Sequence, residues 1–168
     1  MHNNWSNDRR ACGLLPTITE GLIELNYGEW QGKTHEEVKK HWPQLYELWK
    51  TSPHLARFPS GESLQDIVLR TADVFRGVVR DVPSESDTVV LVGHDSVNRA
   101  LLLQLLDQPL SAYWKIVQDP CCINVIKYED GAIRALSINA TQHIQSPHVH
   151  KKPGHPEVIF RPGSRVSA

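Results

Sequence analysis

One stretch of this 168-residue chain constrains its fold more than any other. Residues 88–106 read TVVLVG, then His94, then DSVNRALLLQLL. The first part is uncharged and rich in β-branched residues and Leu, the pattern of a strand buried on both faces. Asp95 and Ser96 are good helix starters, and the run after them is apolar almost all round, so a buried helix follows. His94 is thus expected where a parallel strand turns into a helix. Ligands collect at that edge in open α/β sheets, and the unpaired N–H groups of a first helical turn attract an anion. A histidine there either packs at the strand end or adds positive charge to a bound phosphate, and the residues alone leave both readings open.

Charge adds a constraint on partners. Eighteen Lys and Arg stand against nineteen Asp and Glu, so nothing points to nucleic acid or to an anionic membrane surface. No apolar run reaches transmembrane length, and the N-terminus lacks the apolar core of a signal peptide. Cys12, Cys121 and Cys122 form no disulfide framework and show no metal-ligand spacing, which predicts a cytoplasmic protein with no metal and no cofactor. Residues 1–10 are polar and aperiodic, a disordered N-terminal segment by expectation. Residues 145–168 carry Pro, basic residues and His148, His150 and His155 with little periodicity, and are expected to form a flexible basic tail. One domain should then occupy residues 11–144.

Local signals place the rest. ITEGLIEL alternates and predicts an extended segment that delivers Glu24 to the loop ELNYGEWQGK, where Gly28 and Gly32 frame aromatic residues. Glu24 by itself reads as an ordinary solvated carboxylate. Thr34 with Glu37 makes a capping box for one helix, and Pro43 can open a second. Ser63 and Asp66 have the same capping spacing ahead of a long amphipathic run ending near Val82. A short helical stretch is expected at 111–115. CCINVIKYE and AIRALSINA flank an EDG turn and predict an antiparallel hairpin at the sheet edge.

Three elements, IELNYGEWQG, SGES and LVGHDSVNRALL, occur in that order and together resemble the histidine phosphatase superfamily, the phosphoglycerate mutase-like fold. The resemblance covers residues 11–143. It implies an α/β fold, a three-layer, mostly parallel sheet flanked by helices. It also implies that Glu24 donates a proton to the leaving group and that His94 helps bind the phosphoryl group. Tyr27 and the backbone at Asp95 would line the site, with Asn124 facing it from the following strand. The substrate would be a small phosphorylated metabolite, or inorganic phosphate would bind.

The chemistry suits those residue types. A phosphoryl group in transfer spreads negative charge over three oxygens, which fixed positive charge and N–H donors stabilise. An alkoxide is a poor leaving group, and a protonated carboxyl in hydrogen-bond reach typically contributes about 10²–10⁴-fold.

The chain departs from the family pattern at one place. The family's nucleophile is a histidine in an Arg-His-Gly motif at the end of the first strand, and no Arg-His-Gly occurs in the 168 residues. The Ser-x-Leu-x-Arg-type segment that supplies a phosphate-binding arginine is also absent, and Arg9 and Arg10 are not assigned that role. The expectation is an N-terminally truncated domain of weak or no activity, since the phosphohistidine route needs its nucleophile. Its central strand would lack a neighbour, and the exposed sheet edge could then pair two copies as a homodimer. A mutase is disfavoured because His35 or a neighbour stands where mutases keep a lysine and their carboxylate-gripping arginine pair is missing, although Lys33 is close.

Two other readings compete. A non-catalytic phosphate- or protein-binding module would bind phosphate without turnover. LVGHDS also resembles the nucleophile elbow of epoxide-hydrolase-type α/β-hydrolases, with Asp95 as nucleophile. That elbow needs a small residue two positions on, and Val97 stands there.

Overall fold

A computed structural model describes residues 13–81 and 87–144 of the chain. The predicted segments 1–10 and 145–168 lie outside the described residues. The helical signals translate directly into structure. Helix α1 (His35–His41) begins at a capping box in which Thr34 and Glu37 exchange side-chain-to-backbone hydrogen bonds. Pro43 opens α2 (Pro43–Thr51), where its fixed φ and missing N–H cost nothing. The Ser63–Asp66 pair makes a second capping box, with Ser63 N donating to Asp66 Oδ2 at 2.8 Å, and launches α3 (Leu64–Asp81).

Helix α4 (Asp95–Leu105) is buried nearly all round: Ser96, Val97, Ala100, Leu101, Leu102 and Leu103 are all buried. It packs on α3, whose Leu64, Ile67 and Thr71 face inward. An aromatic cluster caps this helix pair. Phe58 sits at its centre, edge-on to Tyr27 and Trp30 at 4.9 Å and to Trp49 at 5.1 Å. Edge-to-face packing of this kind adds to the burial of large apolar rings. The aromatics of the YGEW loop and of α2 are therefore core residues.

The hairpin forms as expected. Strands β1 (Ile123–Glu129) and β2 (Ala132–Ala140) pair antiparallel, with Glu129 opposite Ala132. Asp130 and Gly131 both take positive φ, 50° and 75°, the signature of a type I′ turn whose twist suits the strands.

Three expectations are corrected. ITEGLIEL is not extended throughout, because residues Glu20–Leu22 form a 3₁₀ turn closed by Ile23 N donating to Glu20 O. Residues 88–93 are not a doubly buried strand. No strand is assigned to them, and Val90 and Val92 are 76% and 60% exposed. The sheet described is the two-stranded β1–β2 hairpin, not a mostly parallel layer. The reason is pairing: a strand is held by its neighbours, β1 and β2 satisfy each other, and no described segment lies in register beside 88–93.

Replacing Phe58 with Ala should destabilise the fold by about 3–5 kcal/mol in urea denaturation, because it empties the centre of the aromatic cluster.

Candidate functional site

The first turn of α4 is where the separated motifs meet. His94 is the N-cap residue, extended at φ −106°, and its carbonyl accepts the Asn98 N–H at 2.9 Å. Its side chain lies on an exposed residue at the mouth of the helix. Asp95 is the first helical residue, favourably placed against the positive end of the helix dipole. Ser96, next along, is 1% exposed and carries the central contacts.

Glu24 reaches this turn from 72 positions away in sequence. Its Oε1 accepts the Leu25 N–H at 2.7 Å and its Oε2 accepts the Ser96 N–H at 3.4 Å. The carboxyl group is thus held by two backbone donors, one of them an unpaired amide of the helix N-terminus. Tyr27 arrives with it, its hydroxyl 2.8 Å from Ser96 Oγ. Gly28 makes that approach practicable: at φ +54° a side chain there would collide with the Pro59 carbonyl oxygen.

Four of the five residues singled out from sequence therefore lie on or beside one helical turn: Glu24, Tyr27, His94 and Asp95. Asn124 is differently engaged. Its side-chain amide pairs with that of Gln118, donating at 2.7 Å and accepting at 3.1 Å, and its Oδ1 also takes the Asn139 N–H at 2.9 Å. These bonds fasten the hairpin to the preceding loop. The Asp95 carboxylate is felt as far as the neighbouring Cys122 thiol, whose pKa is raised mainly by burial.

Several residues of this region carried no assignment from sequence. Arg99 is 12% exposed, and its Nε donates to Asp95 Oδ1 at 2.9 Å. It also bonds the Ile116 carbonyl and lies over the Tyr113 and Trp114 rings. The i,i+4 spacing from Asp95 was a legible signal for that pair. Tyr113 is fully buried, with its hydroxyl beside Ser96. Burial, with the Glu24 carboxylate as the next cause, pushes the Tyr27 hydroxyl far above the usual phenol range. Burial does the same to Tyr113. Both hydroxyls stay protonated and can donate at neutral pH. Among the described residues no cluster of His, Cys, Asp and Glu could hold a metal ion.

The first turn of α4 thus brings together a carboxyl group and an N-cap histidine from two distant parts of the sequence. The model of the histidine phosphatase superfamily (branch 1) matches residues 9–141. The chain belongs to the histidine phosphatase superfamily. It is 32% identical over 125 residues to phosphoserine phosphatase 1 of Hydrogenobacter thermophilus, covering 73% of this chain and 57% of that protein. It is 37% identical over 89 residues to a 6-phosphofructo-2-kinase/fructose-2,6-bisphosphatase of Arabidopsis thaliana, covering 53% of this chain and 11% of that one. The chain thus spans just over half, or far less, of the length of these curated relatives. Among solved structures, YhfR of Bacillus stearothermophilus superposes with a TM-score of 0.75 at 25% identity, covering 84% of this chain and 71% of that one. A mycobacterial glucosyl-3-phosphoglycerate phosphatase in complex with inorganic phosphate shares the fold, with a TM-score of 0.71 and coverage of 79% and 69% at 24% identity. The phosphoglycerate mutase-like α/β architecture is that of these neighbours, and no helix among the described residues is long and apolar enough to cross a membrane.

The buried tyrosines give a pH signature. Their folded-state pKa values lie above the ordinary 10.0, so the stability they confer is complete below about pH 10 and is lost as pH rises past it, where only the unfolded chain ionises. Urea unfolding of the wild type should show a steeper fall above about pH 10 than Tyr27→Phe does.

Proposed function

We propose that this superfamily member recognises the phosphate of a small phosphomonoester at the N-terminus of α4, and that the 168-residue chain by itself gives little or no turnover. In this reading Glu24 is the proton donor to the leaving oxygen and His94 supplies positive charge to the phosphoryl oxygens. Tyr27 and the Asp95 backbone line the anion site, with Asn124 on the hairpin side. The observation that carries it is the Ser96 N–H to Glu24 Oε2 contact of 3.4 Å, which sets the carboxyl group on the helical turn that His94 caps. Helix-terminal N–H groups favour an anion at that point, and a carboxylic acid there can protonate a departing alkoxide. Relatives named as phosphatases of phosphoserine and of glucosyl-3-phosphoglycerate support a small phosphorylated metabolite as the ligand.

Low turnover follows from the residue inventory. A phosphohistidine route needs a nucleophilic imidazole in an Arg-His-Gly setting, and these 168 residues contain none. Phosphate recognition without chemistry, the pseudo-phosphatase reading, is then the state of the isolated chain. Asp95 as a hydrolase nucleophile is disfavoured by its ion pair with Arg99 and by the family match. A reducing, cytoplasmic setting accords with the free thiols of Cys121 and Cys122.

The exposed edge supports self-association. Residues 88–93 carry no charge, Asp87 precedes them and His94 follows. Antiparallel pairing with a second copy sets Asp87 of one chain against His94 of the other, whereas parallel pairing sets like against like. The near-neutral net charge of −1 leaves no general repulsion between copies.

Calorimetry with inorganic phosphate should show binding to the wild type, weakened about 10–100-fold by His94→Ala, the loss of a hydrogen bond to a charged group. Hydrolysis of a phenyl phosphate at an ordinary enzymatic rate, abolished in His94→Ala, would refute the low-turnover part. Sedimentation should give a dimer for the wild type and a monomer for Val90→Lys, whose side chain lies at the proposed seam. A wild type that stays monomeric at high concentration would rule the pairing out.

A further inference from the structure

Glu24 sits on a short arm, residues 20–26, that has little regular structure of its own. Its backbone is nevertheless held from two sides by a charged pair, Arg70 of α3 and Glu62 just before that helix. Arg70, in the second turn of α3, donates from Nη1 to the Gly21 carbonyl at 2.8 Å and from Nη2 to the Glu24 carbonyl at 3.4 Å. The same guanidinium grips Glu62, with Nε to Oε1 at 3.0 Å and Nη2 to Oε2 at 3.2 Å. Glu62 in turn holds the far side of the arm. Its Oε2 accepts the Asn26 N–H at 2.8 Å, and its own N–H donates to the Asn26 carbonyl at 2.8 Å. Arg70 and Glu62 are only 21% and 25% exposed, so the pair is shielded from most solvent screening. Gly21 seats against α3 so closely that an added methyl group would strike Val74 and the Arg70 carbonyl.

We infer that Arg70 and Glu62 are a positioning pair for Glu24, an inference that rests on reading Glu24 as the functional carboxyl. The guanidinium fork bonds the carbonyls of residues 21 and 24, and its carboxylate partner bonds residue 26, so the Cα of Glu24 is fixed between two anchored peptides. With the backbone fixed, the carboxyl group has a single short reach to the Ser96 amide. A 1 Å slip of such a group is enough to cost about 10²-fold in a reaction it serves. Lysine cannot replace arginine here, because a point charge cannot bond two carbonyls and both carboxylate oxygens in one plane.

The Ser96 amide reports on this geometry without any substrate. In ¹H–¹⁵N spectra at neutral pH, the Ser96 amide proton of the wild type should resonate downfield, the response of an N–H bonded to a carboxylate, and Glu24→Gln should abolish that response. Arg70→Lys and Glu62→Gln should lose most of the response while keeping dispersed spectra, and Arg57→Gln, which breaks an ion pair elsewhere on α3, should keep it in full. Glu62→Gln retains an acceptor for the Asn26 N–H, so it tests the clamp in a chain that still folds. A full Ser96 response in Arg70→Lys and Glu62→Gln, or an equal loss in Arg57→Gln, would overturn the inference. No phosphate is present in these spectra, so a failure of phosphate to bind would refute the proposed function and leave this result standing.

Discussion

The molecule turns on Ser96. Buried in the first turn of α4, it offers its amide to Glu24 and its hydroxyl to Tyr27, while the fully buried Tyr113 packs nearby. These contacts join residues seventy positions apart in sequence. They do so at the one part of a helix where backbone donors are left over, so the joint needs no dedicated binding side chain. A small residue is required there, because the loop carrying Tyr27 must come within hydrogen-bond distance of the helix.

That joint explains how the core serves the site. Phe58 holds Tyr27 edge-on, Trp30 and Trp49 pack around Phe58, and the YGEW loop is thereby pressed onto α4. Gly28 lets the loop pass the Pro59 carbonyl. Hydrophobic packing thus sets the position of Tyr27, whereas Glu24 is set by polar bonds from Arg70 of α3 and from Glu62 just before it. The two residues lie three apart in sequence yet are fixed by different physical means.

Local structure was legible wherever a short-range rule controlled it. Two capping boxes, Pro43 at a helix start, and Asp130–Gly131 at a hairpin turn are all decided by residues within four positions of each other. The grouping of Glu24, Tyr27, His94 and Asp95 was legible because motif order resembled a known family. Segment 88–93 was misread because its composition reports what such a strand needs, not whether a neighbour supplies it. Arg70 escaped notice for a related reason: its partners Gly21, Glu24 and Glu62 come from another part of the chain, and no periodicity marks them.

Asn124 and Gln118 have a consequence for how the chain opens. The hairpin buries no residue completely, and its backbone bonds are internal to it. Its links to the body include the paired amides of these two residues, the Asp119–Asn139 bonds and one ring contact between Phe75 and Tyr128. A unit tied on by such a clasp has its own free energy of detachment, smaller than that of the helical body. Amide exchange in β1 and β2 should therefore proceed through a partial opening, with α3 and α4 still closed over Ser96.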